Sequence, residues 1–261
     1  MSLALQMATR AAETDQGHSR LLKCGLVLDE SRAYWSYAAS AETATESKLA
    51  FEQYWFGARS EKWVKEIILN MRMRYGAFPN ALSVLANWAS MSPEIRQLIC
   101  HWHCQLADPH YRKFTGEYLV QRRDALRPEL HRRGVITWVT ENVSSTWKVE
   151  TRTRMASNLL STAHAAGLVK GKRDPRKLAY PRIPDQALGY ILHLLREVDF
   201  GGSIAENPYL ASIGLQGGIL ADRLRALDCV TYRRVGDTHN FDWRYSNLQA
   251  WASAELSGAE A

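Results

Sequence analysis

The 261-residue chain is 46% hydrophobic and 23% charged, near the averages for soluble globular proteins, which excludes disordered, collagen-like and disulfide-framework classes. Lys plus Arg number 33 against 27 Asp plus Glu, a net charge of +6 that permits a polyanionic partner without requiring one. No stretch approaches about twenty apolar residues and the first residues form no export leader, so no membrane association is expected, and Cys24, Cys100, Cys104 and Cys229 are expected as reduced thiols in a cytoplasm.

The first half reads as a run of helices. Leu21, Leu22, Leu26, Leu28, Ala33 and Tyr34 fall at roughly helical spacing over 18–39, interrupted by Gly25. Thr43 and Glu46 match a capping box. Ser60 then opens a helix with Trp63, Val64, Ile67, Ile68 and Met71 on its apolar side, and Gly76 and Pro79 are expected to end it, the glycine in a left-handed conformation. Ser92-Pro93 and Asp108-Pro109 each place a capping side chain before a proline at the first helical position.

The second half changes character. Over 151–166, Met155, Ala156, Leu159, Leu160, Ala163 and Ala166 share one arc, while Arg154, Ser157, Asn158 and Ser161 fill the opposite one. Gly167 stops this helix. A short strand is expected over 168–170, a basic turn over 171–177 and a return strand over 178–180. The layout repeats near the C-terminus. A helix is expected over 215–228. Strand alternation starts at Val230, Gly236-Asp237 turns the chain, and Phe241, Trp243 and Tyr245 line one face of a second strand.

Helix, glycine, strand, basic turn, strand is the pattern of a winged helix-turn-helix, whose helix enters the major groove while its ribbon follows the backbone. Residues 146–177 hold the cations Lys148, Arg152, Arg154, Lys170, Lys172, Arg173, Arg176 and Lys177 against only Glu150 and Asp174. Phosphate neutralisation needs such a concentration of charge. A solvated basic hairpin is the competing explanation. Residues 121–133 form a further basic stretch, either a supporting phosphate contact or plain surface.

Five stretches resemble the BrxA family of BREX phage-defence systems: LLKCGLVLDESR (21–32), ARSEKWVKEIILNMRMRYG (58–76), LADPHYRKFTGEYL (106–119), WKVETRTRMASNLLSTAHAAGL (147–168), and the tail ENPYLASIGL…YRRVGDTHNFDWRYSNLQAW (206–251). The resemblance implies a helical protein with winged-helix-like modules that binds duplex DNA with little sequence preference and no enzymatic activity. It also implies a second DNA-facing helix over 60–75, with Lys62, Lys65, Arg72 and Arg74 as its cations. Their mixing with Glu61 and Glu66 leaves an ordinary solvated face as the alternative.

Cys100-His101-Trp102-His103-Cys104 invites a zinc assignment, but one continuous helix cannot wrap four ligands around an ion, so buried cysteines beside hydrogen-bonded histidines are expected. Asp237, His239 and Asp242 fit a turn and an exposed strand better than a metal nuclease site. No phosphate-loop, zinc-protease or nucleophile-elbow motif occurs, and no cofactor is called for. The expected fold is mainly α, with winged helix-turn-helix-like modules and small β-ribbon wings. Its expected parts are an N-terminal helical module (18–134), a central winged helix (135–197) and a C-terminal helix–hairpin extension (203–251). The expected function is non-enzymatic binding of double-stranded DNA, in company with other BREX-system proteins, through Arg154, Ser157, Asn158, Ser161, Lys172, Arg173, Arg176 and Lys177. The alternative is an assembly subunit that docks defence enzymes without touching DNA.

Overall fold

A computed structural model of the chain describes residues 10–39 and 46–256, and the fold is mainly α. After a two-residue strand β1 (Ala11–Ala12) and a 3-10 turn (Arg20–Leu22) come α1 (Leu28–Ala38), α2 (Glu46–Glu52), α3 (Glu61–Tyr75), α4 (Pro79–Asn87) and α5 (Pro93–Ala107). α6 (Pro109–Lys113), a π-turn (Phe114–Tyr118) and α7 (Leu119–Arg123) form one nearly continuous rod. Then follow β2 (Glu129–Leu130), α8 (Arg132–Asn142), α9 (Val149–Ala165), β3 (Val169–Lys170), β4 (Arg176–Leu178), α10 (Asp185–Glu197) and β5 (Val198–Asp199). The chain closes with α11 (Pro208–Ser212), α12 (Gly217–Arg225), the hairpin β6 (Val230–Val235) and β7 (Thr238–Trp243), and α13 (Leu248–Glu255).

Local capping chemistry sets several of these starts. Ser60 accepts from the amide of Trp63, Ser92 from Ile95 at 3.3 Å, and Asp108 from Tyr111 at 2.9 Å, each satisfying a donor that the first helical turn leaves open. α5 is buried on every side from Leu98 to Ala107, because α1, α3, α6 and α10 all pack against it. The capping box at Thr43 lies outside the described residues, but Glu46 is described and pairs with Arg72 of α3.

Three expectations for the first half are corrected. The helix expected over 18–39 breaks into the 3-10 turn and α1, because Val27 is left-handed (φ 48°) and Gly25 precedes it. Gly76 ends α3 in a right-handed conformation (φ −65°), not a left-handed one. A side chain there would bring its Cβ within 2.6 Å of the Arg72 carbonyl oxygen, so crowding and not handedness calls for glycine. Pro79 is the first residue of α4 and does not terminate α3.

In the second half, α9 carries the expected phase: Met155, Ala156, Leu159, Leu160, Ala163 and Ala166 are all fully buried. Gly167 (φ 75°) closes it with amides of Gly167 and Leu168 bonding back to His164 and Ala163, a Schellman arrangement. The return strand starts two residues earlier than expected. Arg176 and Lys177 belong to β4, with Lys170 opposite Lys177 and Val169 opposite Leu178. β2 adds a third strand, giving the order β2–β4–β3. α12 is shorter than the expected 215–228 helix, while the β6–β7 hairpin pairs Tyr232 with Phe241 and turns at Gly236 (φ 59°) as its alternation requires.

Candidate nucleic-acid interface

The wing is fixed by one carboxylate. Asp174 sits in the turn between β3 and β4, and its Oδ2 accepts from the Arg132 amide at 2.7 Å, at the N-terminus of α8. An anion there satisfies an open amide and meets the positive end of the helix dipole. The bond holds the wing tip against α8, so Arg132 and Arg133 join Lys172 and Arg173 at the same end of this unit. Lys170 and Lys177, both exposed, stand directly opposite each other on the ribbon. Like charges opposed across two strands destabilise the pair unless something screens them. Glu129 of β2 lies on the far side of Lys177 and offsets part of that repulsion. Among the described residues none of these six cationic side chains has an ion-pair partner.

The remaining expected contacts are distributed differently. Arg176 is largely buried and bonds Asp174 at 3.2 Å, so it braces the turn and points no free charge outward. On α9, Arg154 and Ser161 are exposed and Ser157 and Asn158 are half-buried. Arg154 donates to the carbonyl of Leu22 and Asn158 to that of Leu21, both at 2.9 Å. Ser157 and Ser161 donate within their own helix, to Thr153 and Asn158. The polar arc of α9 is therefore covered along one flank by residues 20–25, which engage Arg154 and Asn158, and Ser157 and Ser161 remain along the other.

Arg74 requires the clearest correction. It is 4% exposed and donates to the carbonyls of Leu26 (2.9 Å) and Gly25 (2.6 Å), so it cannot meet a phosphate. Together Arg74, Arg154 and Asn158 take four carbonyls of the 21–26 segment, which makes up for the helix that Gly25 and Val27 break. Arg72 is half-buried against Glu46, and Lys65 is bridged to Glu61 at 2.6 Å. Lys62 and Lys65 alone of the four stand exposed on α3. Arg132 and Arg133, from the basic stretch weighed as a supporting phosphate contact or plain surface, and Lys170, counted among the basic cluster of 146–177, stand beside the wing in the fold. The lone acid in a basic turn was the available signal, since it had to bond something nearby.

The cysteine–histidine stretch is interior. His101 bonds the Tyr111 hydroxyl and Ser212 Oγ, each at 2.9 Å; His103 bonds the Arg74 carbonyl at 2.9 Å and the Tyr190 hydroxyl at 2.7 Å. Burial lowers His101 to about 3 and His103 to about 4, so both rings are neutral at physiological pH. The same burial pushes Cys104 up to about 12 and raises Cys100, leaving both as inert thiols. No group of three or more His, Cys, Asp or Glu side chains suited to a metal ion occurs among the described residues.

A model of the BrxA family matches residues 18–193. The chain belongs to the BrxA family. Membership links it to BREX phage defence, and the matched span contains α8, α9 and the wing. The tail 206–251 lies beyond the matched residues. Among solved structures, the chain resembles one described as the crystal structure of an uncharacterized protein from Magnetospirillum magneticum, with a TM-score of 0.57 and 16% identity over 69% of this chain and 97% of that one. At that identity the likeness concerns the fold. A search of curated proteins finds no match. Among the described residues no helix is long and apolar enough to cross a membrane.

Proposed function

We propose that this BrxA-family chain is a non-enzymatic, double-stranded DNA-binding accessory protein of a BREX-type system. Residues 129–178 act as its winged helix, taken back to β2 because β2 completes the wing sheet. The observation that carries the reading is the Asp174–Arg132 bond, which gathers unpaired cations from the wing and from α8 onto one surface. Lys172, Arg173, Lys177, Arg132 and Arg133 meet phosphates, Ser157 and Ser161 form the open strip of α9 facing the groove, and Arg154, exposed though bonded to Leu22, adds its charge at the edge of that strip. Because phosphate contacts position a protein without reading bases, and the flank of α9 bearing Asn158 is occupied, the binding is nearly indifferent to sequence.

Titration against duplex DNA at several salt concentrations tests this. Replacing Lys172, Arg173 and Lys177 by serine is expected to flatten the slope of log affinity against log salt by about 0.9 per contact, equally on unrelated duplexes. Thermal stability should barely change, since surface substitutions usually stay within about half a kcal/mol. An unchanged slope would remove the wing from the interface.

A further inference from the structure

Residues 180–184, Tyr-Pro-Arg-Ile-Pro, leave β4 and enter α10 without belonging to any helix or strand. A residue preceding proline is driven out of the helical region, so Pro181 and Pro184 hold Tyr180 and Ile183 extended. Neighbouring carbonyls are taken: Arg123 donates to Ala179 and Arg223 to Ile183. Between them, among the described residues, the amides of Tyr180 and Arg182 have no acceptor and their carbonyls no donor. In extended chain, residues two apart present N–H and C=O to the same side. Tyr180 and Arg182 thus form a short unpaired strand edge.

A groove of about 680 Å³ runs beside this edge, lined by Tyr180, Pro181, Ile183, Ile213, Leu215 and Ile219. Tyr180 is 59% exposed and Ile219 65%, and the two large side chains share this one groove. The Tyr180 ring is held in place. The Arg123 guanidinium lies 4.4 Å from its centre, and the ring rests on Gly214, where a Cβ would fall 2.3 Å from it. Arg223 on the rim is neutralised by Asp185 at 2.7 Å. Arg182 is exposed and forms no close ion pair among the described residues, although its charge reaches the Glu94 carboxylate, and with Arg123 over Tyr180 the groove keeps an excess of positive charge.

We infer that this edge and groove receive an extended acidic–apolar segment of a partner protein by strand addition. The segment pairs its backbone with Tyr180 and Arg182, seats an apolar side chain between Tyr180 and Ile219, and places a carboxylate on Arg182. Main-chain bonds supply affinity in this mode and the alternate side-chain pockets supply selectivity. Duplex DNA fits less well, because a phosphate backbone cannot pair with both the donors and the acceptors of a strand edge and makes no use of Ile219. The surface shares no residue with the wing or the start of α8, so the inference stands apart from the DNA reading.

Fluorescent peptides of alternating valine and threonine with a central glutamate, titrated against the full-length protein, test it. Saturable binding is expected, about tenfold weaker when the glutamate becomes lysine or when the amides along one peptide edge are N-methylated. Ile219→Asp and Arg182→Glu alter exposed side chains and should fold normally, as circular dichroism will check. Each is expected to weaken the peptide about tenfold while leaving duplex DNA affinity unchanged. Absence of saturable binding, or indifference to N-methylation, overturns the inference. So does a loss of DNA affinity in Ile219→Asp or Arg182→Glu, which would make the groove a nucleic-acid surface.

Discussion

Arg74 shows how far a single charge can depart from its apparent role. At 100° per residue it lies about 20° from Ile67 on the α3 wheel, within the apolar arc, so the periodicity that identified the buried face already contained it. Counting cations without their phase concealed this. Arg74→Met keeps the bulk of the side chain but leaves the carbonyl of Leu26 without its donor and that of Gly25 with only the weak Cys24 thiol. An unsatisfied buried group costs about 1–3 kcal/mol, so urea unfolding is expected to show a loss of at least that size. Arg154→Ala, losing one exposed bond, should cost under about 1 kcal/mol. His101 and His103 make a second prediction. Both titrate in the folded state well below the ordinary histidine value of about 6.5. The unfolded chain therefore binds more protons than the native one as pH falls from about 6.5 towards 4. Their stability contribution is complete above 6.5 and falls by up to about 1.4 kcal/mol per pH unit for each ring. Urea midpoints at pH 7 and pH 5 should differ accordingly, and a flat profile would contradict the burial of the two rings.

At the scale of elements, the sequence determined what periodicity and capping can determine. The face of α9 and the starts of α5 and α6 were readable because a 3.6-residue apolar repeat and a Ser-Pro or Asp-Pro cap are local signals. β2 was not readable: two residues carry no alternation, and they become a strand only because β4 arrives beside them. The wing residues were readable as a charged turn, but their association with α8 depends on a bond between Asp174 and Arg132 that no local pattern encodes. Asp174→Ala separates the structural and electrostatic roles of that bond. Loss of the cap should lower stability by about 1 kcal/mol. Loss of the negative charge should strengthen duplex binding at low salt, provided the wing stays in place. A weaker affinity together with the lower stability would show that fixing the wing matters more than its charge.

Across the whole molecule, one hydrophobic cluster extends from Leu21 to Ala252 and so includes residues past the family-matched span. α13 packs on both α4 and α10. Its Trp251 is 2% exposed, lies edge-on to Trp88 at 5.9 Å and stacks on His193 at 5.6 Å. Gly189 admits the indole, since a Cβ there would come within 2.9 Å of it. Trp251→Ala is expected to cost about 3–5 kcal/mol, read as a lower urea midpoint, because the cavity opens between elements that cannot collapse together. A loss below about 1 kcal/mol would mean that the tail rests on the protein without contributing to its stability.

The pairing of β1 with β5 has a consequence for how the protein is made. Ala11 aligns with Val198 and Ala12 with Asp199, in parallel, so the first described strand waits for a segment made much later. Trp88 and Tyr190 wait longer still, for Trp251. Chains grow at roughly 5–20 residues per second, so the emerging polypeptide spends several seconds with its last indole unmade and the surface awaiting it bare. Helices α3 to α9 can assemble locally in that interval, whereas closure by α13 must wait until Trp251 has been made. A ribosome that stalls between Tyr190 and Trp251 would therefore hold a chain already helical but still adhesive.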